Sequence, residues 1–217
     1  MRRRLYLMRH ADVSYLGESN PELVHLTDLG REHAEAARAA LAGIDFDLVV
    51  TSVLPRTGET ASIVAPGLAQ EAWLEFSEWR GGRLGDLEPT ELEALFVGAL
   101  HAREESDRFL GGESLGEVLD RVLPAFERLL AREWETALAV FHGGVNRILL
   151  SRALGGGRSF FGGFEQAPAC INVLDLGDSG WIVRTVNYIP YDPLHPSRTT
   201  TMEDLWAGLA QWFEDLR

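Results

Sequence analysis

Apolar positions fall into short runs that alternate with helix-spaced stripes, and this alternation predicts an α/β layered domain. Leu5–Met8, Phe46–Thr51, Ala72–Phe76 and Ala137–Phe141 read as strands. Two more are expected near Ile171–Leu176 and Trp181–Tyr188, joined by the turn Gly177-Asp178-Ser179-Gly180. Between them Thr27 is the expected N-cap of a helix over Asp28–Leu41. Pro55 stands where a first-turn proline belongs, opening a helix to about Val64, and Pro89 opens another through Leu92 and Leu95. The segment from Phe96 to Gly112 is the least regular and reads as a small helical cap. Ser114-Leu115-Gly116-Glu117 has the form of a capping box, ahead of a long helix with Leu119, Val122, Leu123, Phe126, Leu129 and Leu130 as its inner stripe. Gly144–Leu154 is the next helix. Over residues 201–217 the spacing of Leu205, Trp206, Leu209, Trp212, Phe213 and Leu216 predicts an amphipathic helix capped by Thr201. Packing on its own domain is the first expectation for that face, and a homodimer contact is the alternative.

Length and composition narrow this picture. The 217 residues fit a single domain spanning 1–217. A compact chain of this size buries roughly 70% of its unfolded surface, so its core needs no covalent staple. Cys170, the lone cysteine, excludes an internal disulfide and a multi-cysteine metal site. With 20 basic against 33 acidic residues the formal charge is −13, which argues against nucleic acid or an anionic membrane as partner. Every basic residue is arginine. Chemistry that needs a Schiff-base or P-loop lysine is therefore excluded. No apolar run approaches the ~20 residues of a membrane span. The stretch after Arg2-Arg3-Arg4 is too short for a secretion signal, so a soluble, cytoplasmic protein is expected.

Three segments share one layout. Arg9-His10 follows the first predicted strand, Arg56 opens a helix just after the second, and His142-Gly143-Gly144 leads from a strand into a helix. In an open parallel sheet the C-terminal strand ends share an edge, where ligands bind. Two histidines and two arginines are thus expected to converge there, beside helix N-termini that suit an anion. A neutral imidazole is a nucleophile toward phosphorus, and guanidinium groups bind phosphate oxygens in bidentate fashion. A departing alkoxide needs a proton, for which Glu78 is the first candidate and Glu75 the second. Arg80 and Arg83, in the glycine-rich loop beyond, are candidates for a second anionic group of the substrate.

At these residues the chain resembles the histidine phosphatase superfamily, which includes phosphoglycerate mutases and acid phosphatases. The matching segments are Leu7-Met8-Arg9-His10-Ala11, Leu26-Thr27 with Gly30, Thr51-Ser52 through Thr60-Ala61, and Phe76-Ser77-Glu78 with Gly82. Gly112-Glu113-Ser114 with Arg121 and His142-Gly143-Gly144 with Arg147 complete the set, all in family order. The resemblance implies a three-layer α/β/α sandwich around a mostly parallel sheet, as in phosphoglycerate mutases. It also implies metal-independent hydrolysis of a small phosphorylated metabolite. His10 would become phosphorylated, Arg9, Arg56, His142 and the Gly143 backbone would hold the phosphoryl group, and Glu78 would act as acid, then base. No metal and no cofactor is implied.

The chain also departs from the family pattern. Ala11 replaces a glycine, Asp12 stands where relatives carry Glu or Gln, and Leu16 replaces an asparagine whose phosphate contact Ser14 is a candidate to supply. Gly85-Asp86 inverts a glutamate-glycine order, which keeps Glu75 open as the acid. A phosphomutase and a non-catalytic phosphate-binding protein are the alternatives to a phosphatase.

Overall fold

A computed structural model describes residues 2–16, 20–82, 92–101 and 104–215. Six strands form one sheet: β1 (Arg3–Arg9), β2 (Leu48–Ser52), β3 (Gln70–Trp73), β4 (Thr136–Phe141), β5 (Ile171–Gly177) and β6 (Gly180–Tyr188). Their order is β3-β2-β4-β1-β5-β6. β3, β2, β4 and β1 run parallel, and β5 and β6 pair antiparallel along the remaining edge. The helices are α1 (Asp28–Ala40), α2 (Pro55–Val64), α3 (Leu92–Val97), α4 (Leu115–Leu130), α5 (Gly143–Ala153) and α6 (Thr201–Asp215).

Side chains alternate across a pleated strand, so each central strand feeds two cores. Leu5, Leu7, Val50, Ala139 and Phe141 face α4 and α5, while Tyr6, Met8, Val49, Leu138 and Val140 face α1 and α2. This double burial is why these strands read as continuous apolar runs. The result is the expected three-layer sandwich. Thr27 caps α1, Pro55 opens α2, and Ser114 with Glu117 forms the capping box of α4. The inner stripe of α4 is buried at Leu119, Val122, Phe126 and Leu129, with Leu123 and Leu130 at its edges.

Several boundaries differ from the sequence-based expectation. Beyond Trp73 the β2 partner has run out, so the chain leaves the ladder for a short 3-10 turn over Leu74–Phe76 instead of continuing as strand. The second strand starts at Leu48, because the Asp47 carboxylate is engaged with the Glu135 and Thr136 N–H groups. α5 begins at Gly143, with His142 at its N-cap. The cap of α6 is Thr200, whose N–H and hydroxyl exchange hydrogen bonds with Glu203, so Thr201 is the first helical residue. Arg83 and the helix start at Pro89 lie outside the described residues. Between 96 and 112 the described chain forms short 3-10 turns at Gly98–His101 and Phe109–Gly111. α6 lies against α3, with the Phe96 and Trp206 rings 6.0 Å apart. Among the described residues no helix is long and apolar enough to cross a membrane.

Candidate active site

The parallel strands deliver their C-terminal ends to one edge. Arg9 ends β1 and His10 follows, its N–H donating to the Phe141 carbonyl at the end of β4. Ser52 ends β2, and Arg56 sits in the first turn of α2. His142 follows β4 at the N-cap of α5. The His10 and His142 rings meet edge to face, centroids 5.2 Å apart, and both side chains are buried together with Arg9 and Arg56. Residues up to 133 positions apart in sequence are thus brought together as the topology predicts.

The imidazoles are oriented by their neighbours. His10 Nδ1 lies 2.7 Å from the Ala11 carbonyl, which can only accept, so the ring proton is on Nδ1 and the Nε2 lone pair is free. His142 Nε2 lies 2.8 Å from Ser52 Oγ, and Thr57 Oγ is 3.0 Å from the same oxygen. A Ser52 hydroxyl donating to Nε2 leaves the His142 proton on Nδ1. Burial holds both histidines well below the ordinary value near 6.5, and the charges of Arg56 and Arg9 push them further down. Both rings are therefore neutral at pH 7.

Three buried nitrogens of this cluster have no hydrogen-bond partner: Arg9 Nε, Arg56 Nε and His142 Nδ1. Buried donors are normally paired, and an orphan costs about 1–3 kcal/mol. Three of them around the neutral His10 imidazole, beside the N-terminus of α5, form an arrangement that can receive a small oxyanion. One terminal nitrogen of each guanidinium group is anchored. Arg9 Nη1 donates to the Gln166 carbonyl (2.6 Å), Arg56 Nη1 to that of Pro21 (3.1 Å), and Tyr15 covers Arg56 with its ring.

Glu78 lines the same cavity as Arg9 and Gly143. Its carboxylate accepts from the N–H groups of Trp79 (2.8 Å) and Gly144 (3.2 Å). A Cβ on residue 144 would sit 2.7 Å from Glu78 Oε1, so glycine there lets the carboxylate rest on the helix end. Glu75 points elsewhere, to Arg128 on α4. The loop is held by Arg121, which donates to the carbonyls of Glu75, Ser77 and Glu78 and forms a two-point pair with Glu113. Burial pushes the Glu113 carboxyl up, but Arg121 and Arg80 together outweigh it and leave the group below its ordinary value. Across the loop the Glu113 N–H donates to the Arg80 carbonyl, and the Gly82 N–H to that of Leu110. The glycine-glutamate-serine segment and Arg121 thus position the carboxylate of Glu78. Nothing in the residue pattern alone distinguished Arg121 as a clamp.

The remaining candidates are more peripheral. Ser14 is exposed and its Oγ accepts from the Leu16 N–H (3.3 Å). Arg80 is exposed and faces Glu113 at 3.7 Å. Asp12 accepts from the Thr27 hydroxyl, and Gly30 packs so closely on the Asp12 backbone that a Cβ would lie 2.2 Å from its carbonyl oxygen. The leucine-threonine and glycine motif therefore docks α1 against the segment that follows His10. His33, on α1, stacks on Tyr191 with centroids 3.5 Å apart. Cys170 is buried, and burial pushes its thiol up to about 12, so it is an inert core residue. Among the described residues no cluster of three or more His, Cys, Asp or Glu side chains could hold a metal ion.

A sequence profile of the histidine phosphatase superfamily (branch 1) matches residues 5–189. Glucosyl-3-phosphoglycerate phosphatase of Mycolicibacterium vanbaalenii is 32% identical over 169 residues, covering 70% of this chain and 75% of that protein. The 2-carboxy-D-arabinitol-1-phosphatase of Triticum aestivum is 26% identical over 189 residues, and the chain spans only 37% of its length. Among solved structures, a mycobacterial glucosyl-3-phosphoglycerate phosphatase with inorganic phosphate superposes with a TM-score of 0.71 at 25% identity, covering 87% of this chain and 98% of that one. The alpha-ribazole phosphatase of Shigella flexneri gives 0.66 at 25% identity, covering 85% and 96%.

Proposed function

The chain belongs to the histidine phosphatase superfamily (branch 1), and from that premise we propose that it is a phosphomonoesterase acting on a small phosphorylated metabolite through phosphohistidine. The observation that carries this reading is the set of three unpartnered buried donors around His10, whose Nε2 lone pair is free. The phosphoryl oxygens take hydrogen bonds from Arg9, Arg56 and His142 Nδ1–H, with the Gly143 backbone N–H at the end of α5 beside them. His10 Nε2 attacks phosphorus, the N–P bond forms, and the ester P–O bond breaks. Glu78 gives its proton to the leaving alkoxide. The resulting carboxylate then takes a proton from water, whose oxygen attacks phosphorus as the N–P bond breaks. Inorganic phosphate leaves and His10 is neutral again.

These residues supply the charge stabilisation that metal ions give in other phosphatases. Phosphate release from an aryl phosphate in excess chelator tests the reading. Wild-type enzyme is expected to turn over, and His10→Ala to lose at least about a thousandfold, as removal of a covalent nucleophile does. Release that survives His10→Ala, or that the chelator removes, would overturn it.

A further inference from the structure

The cavity above Glu78 has a wall that the catalytic machinery does not account for. Its floor is Arg9, Glu78 and the Gly143-Gly144 backbone. Its sides are Trp79, Leu100, Phe109 and Met202, with Thr201 beside Arg147. Thr201 and Met202 are the first residues of α6, which lies wholly outside the matched span of 5–189. This helix start is fixed in place. The Thr201 N–H and hydroxyl both donate to Glu165 Oε1, and Glu165 faces Arg147 at 3.6 Å. The next residue, Gln166, accepts the Arg9 guanidinium through its carbonyl. One short segment therefore ties the C-terminal helix to the phosphate-gripping arginine.

The charge in this wall is internally committed. Arg147 donates from Nε to the Gly162 carbonyl and from Nη1 to that of Gly143, and its third nitrogen faces Glu165. Burial pulls its guanidinium down to about 10, with Glu165 opposing the shift and Arg9 adding to it. Arg9 belongs to the phosphate site. Among the described residues no cation in this wall remains for a second anionic group. The other surfaces are two aromatic rings, Trp79 and Phe109, with centroids 5.5 Å apart, and the aliphatic side chains of Leu100 and Met202.

We propose that this wall is the leaving-group subsite, that the first turn of α6 determines its specificity through Met202, and that the alcohol it accepts is uncharged with an apolar or aromatic face. This rests on the phosphatase reading above and goes beyond it, because it separates the chain from esters that carry a carboxylate on the alcohol. A carboxylate placed against Met202 and Phe109 would lose its water without gaining a partner.

The test compares kcat/KM for phenyl phosphate and 3-phosphoglycerate in wild type, Met202→Leu and Met202→Arg, with inhibition by inorganic phosphate measured in each. Wild type and Met202→Leu are expected to prefer phenyl phosphate by at least about tenfold, the scale on which an apolar pocket discriminates. Met202→Arg should move that ratio toward 3-phosphoglycerate by about tenfold or more, mainly through KM. Phosphate inhibition should persist in all three, since Arg9, Arg56 and His142 are retained in each; this also shows that the variants are folded. A wild-type preference for 3-phosphoglycerate, or a ratio that Met202→Arg leaves unmoved, would overturn the inference while leaving the phosphatase reading intact. Absence of His10-dependent release from either ester would overturn both.

Discussion

At the scale of single residues, the two histidines couple chemistry to stability. In the unfolded chain each takes up a proton near pH 6.5, whereas burial keeps both neutral to well below that in the native state. As pH falls through 6.5 the unfolded state binds protons the native state refuses, so stability is lost, by up to about 1.4 kcal/mol per pH unit for each histidine. Thermal unfolding between pH 7 and pH 5 should show this decline, and His142→Asn should flatten it by about one histidine's share. For the same reason the acidic limb of kcat/KM should lie below pH 6.5. A profile that already falls at pH 7 would mean that His10 charges more readily than its surroundings indicate. Ser52 gives a second handle, because its hydroxyl partners His142 Nε2. Ser52→Ala removes that partner and should lower kcat about tenfold or more, the cost of leaving a buried nitrogen unpaired. KM should change little, as Ser52 sets the proton position and leaves the arginines in place.

At the scale of elements, each motif fixes one segment against another. Arg121, on α4, reaches back to three carbonyls of the loop that carries Glu78. Replacing it with methionine frees that loop and leaves Glu113 without its principal partner. Arg121→Met should therefore cost about 3 kcal/mol of stability, typical when one member of a buried pair is removed. The double variant with Glu113→Gln should recover part of the stability, since no charge is then stranded, while kcat stays low. Denaturant unfolding and steady-state kinetics on the same samples separate the two roles. Recovery of kcat in the double variant would show that Arg121 only neutralises Glu113 and does not position the loop. The same reasoning explains Thr27 and Gly30, which seat α1 on the backbone of Asp12 immediately after Ala11.

At the scale of the whole molecule, β1 couples the two cores. It lies between β4 and β5, and its alternate side chains, Leu5 and Leu7 against Tyr6 and Met8, enter opposite layers. Neither layer can separate without exposing the other, so far-UV circular dichroism and tryptophan fluorescence should report one coincident unfolding transition. Because β1 ends in Arg9 and leads into His10, an anion bound at the site stabilises the same unit. Inorganic phosphate at a hundred times its Kd should add about 2.7 kcal/mol, seen as a rise in Tm, and Arg56→Ala should abolish most of that rise at the same concentration.

What the sequence determined by itself is what depends on neighbouring residues or on repeated pattern. The buried strands β1 and β4, Thr27 as a cap, Pro55 as a helix opener and the Ser114 capping box are written in spacings of a few residues, and they appear where the pattern puts them. The convergence of His10, Arg56 and His142 was legible as well, because a parallel sheet obliges its strand ends to share an edge. The residue pattern left Glu78 and Glu75 both open, since both are acidic residues in one short loop; Arg128 draws one outward and the end of α5 receives the other. β3 stops at Trp73 because β2 stops beside it. Met202 reaches the cavity because Glu165 holds the neighbouring Thr201, 36 residues away. Such pairings join residues that no local period relates, and only the folded chain chooses among the carboxylates, strand ends and helix faces that the sequence makes available.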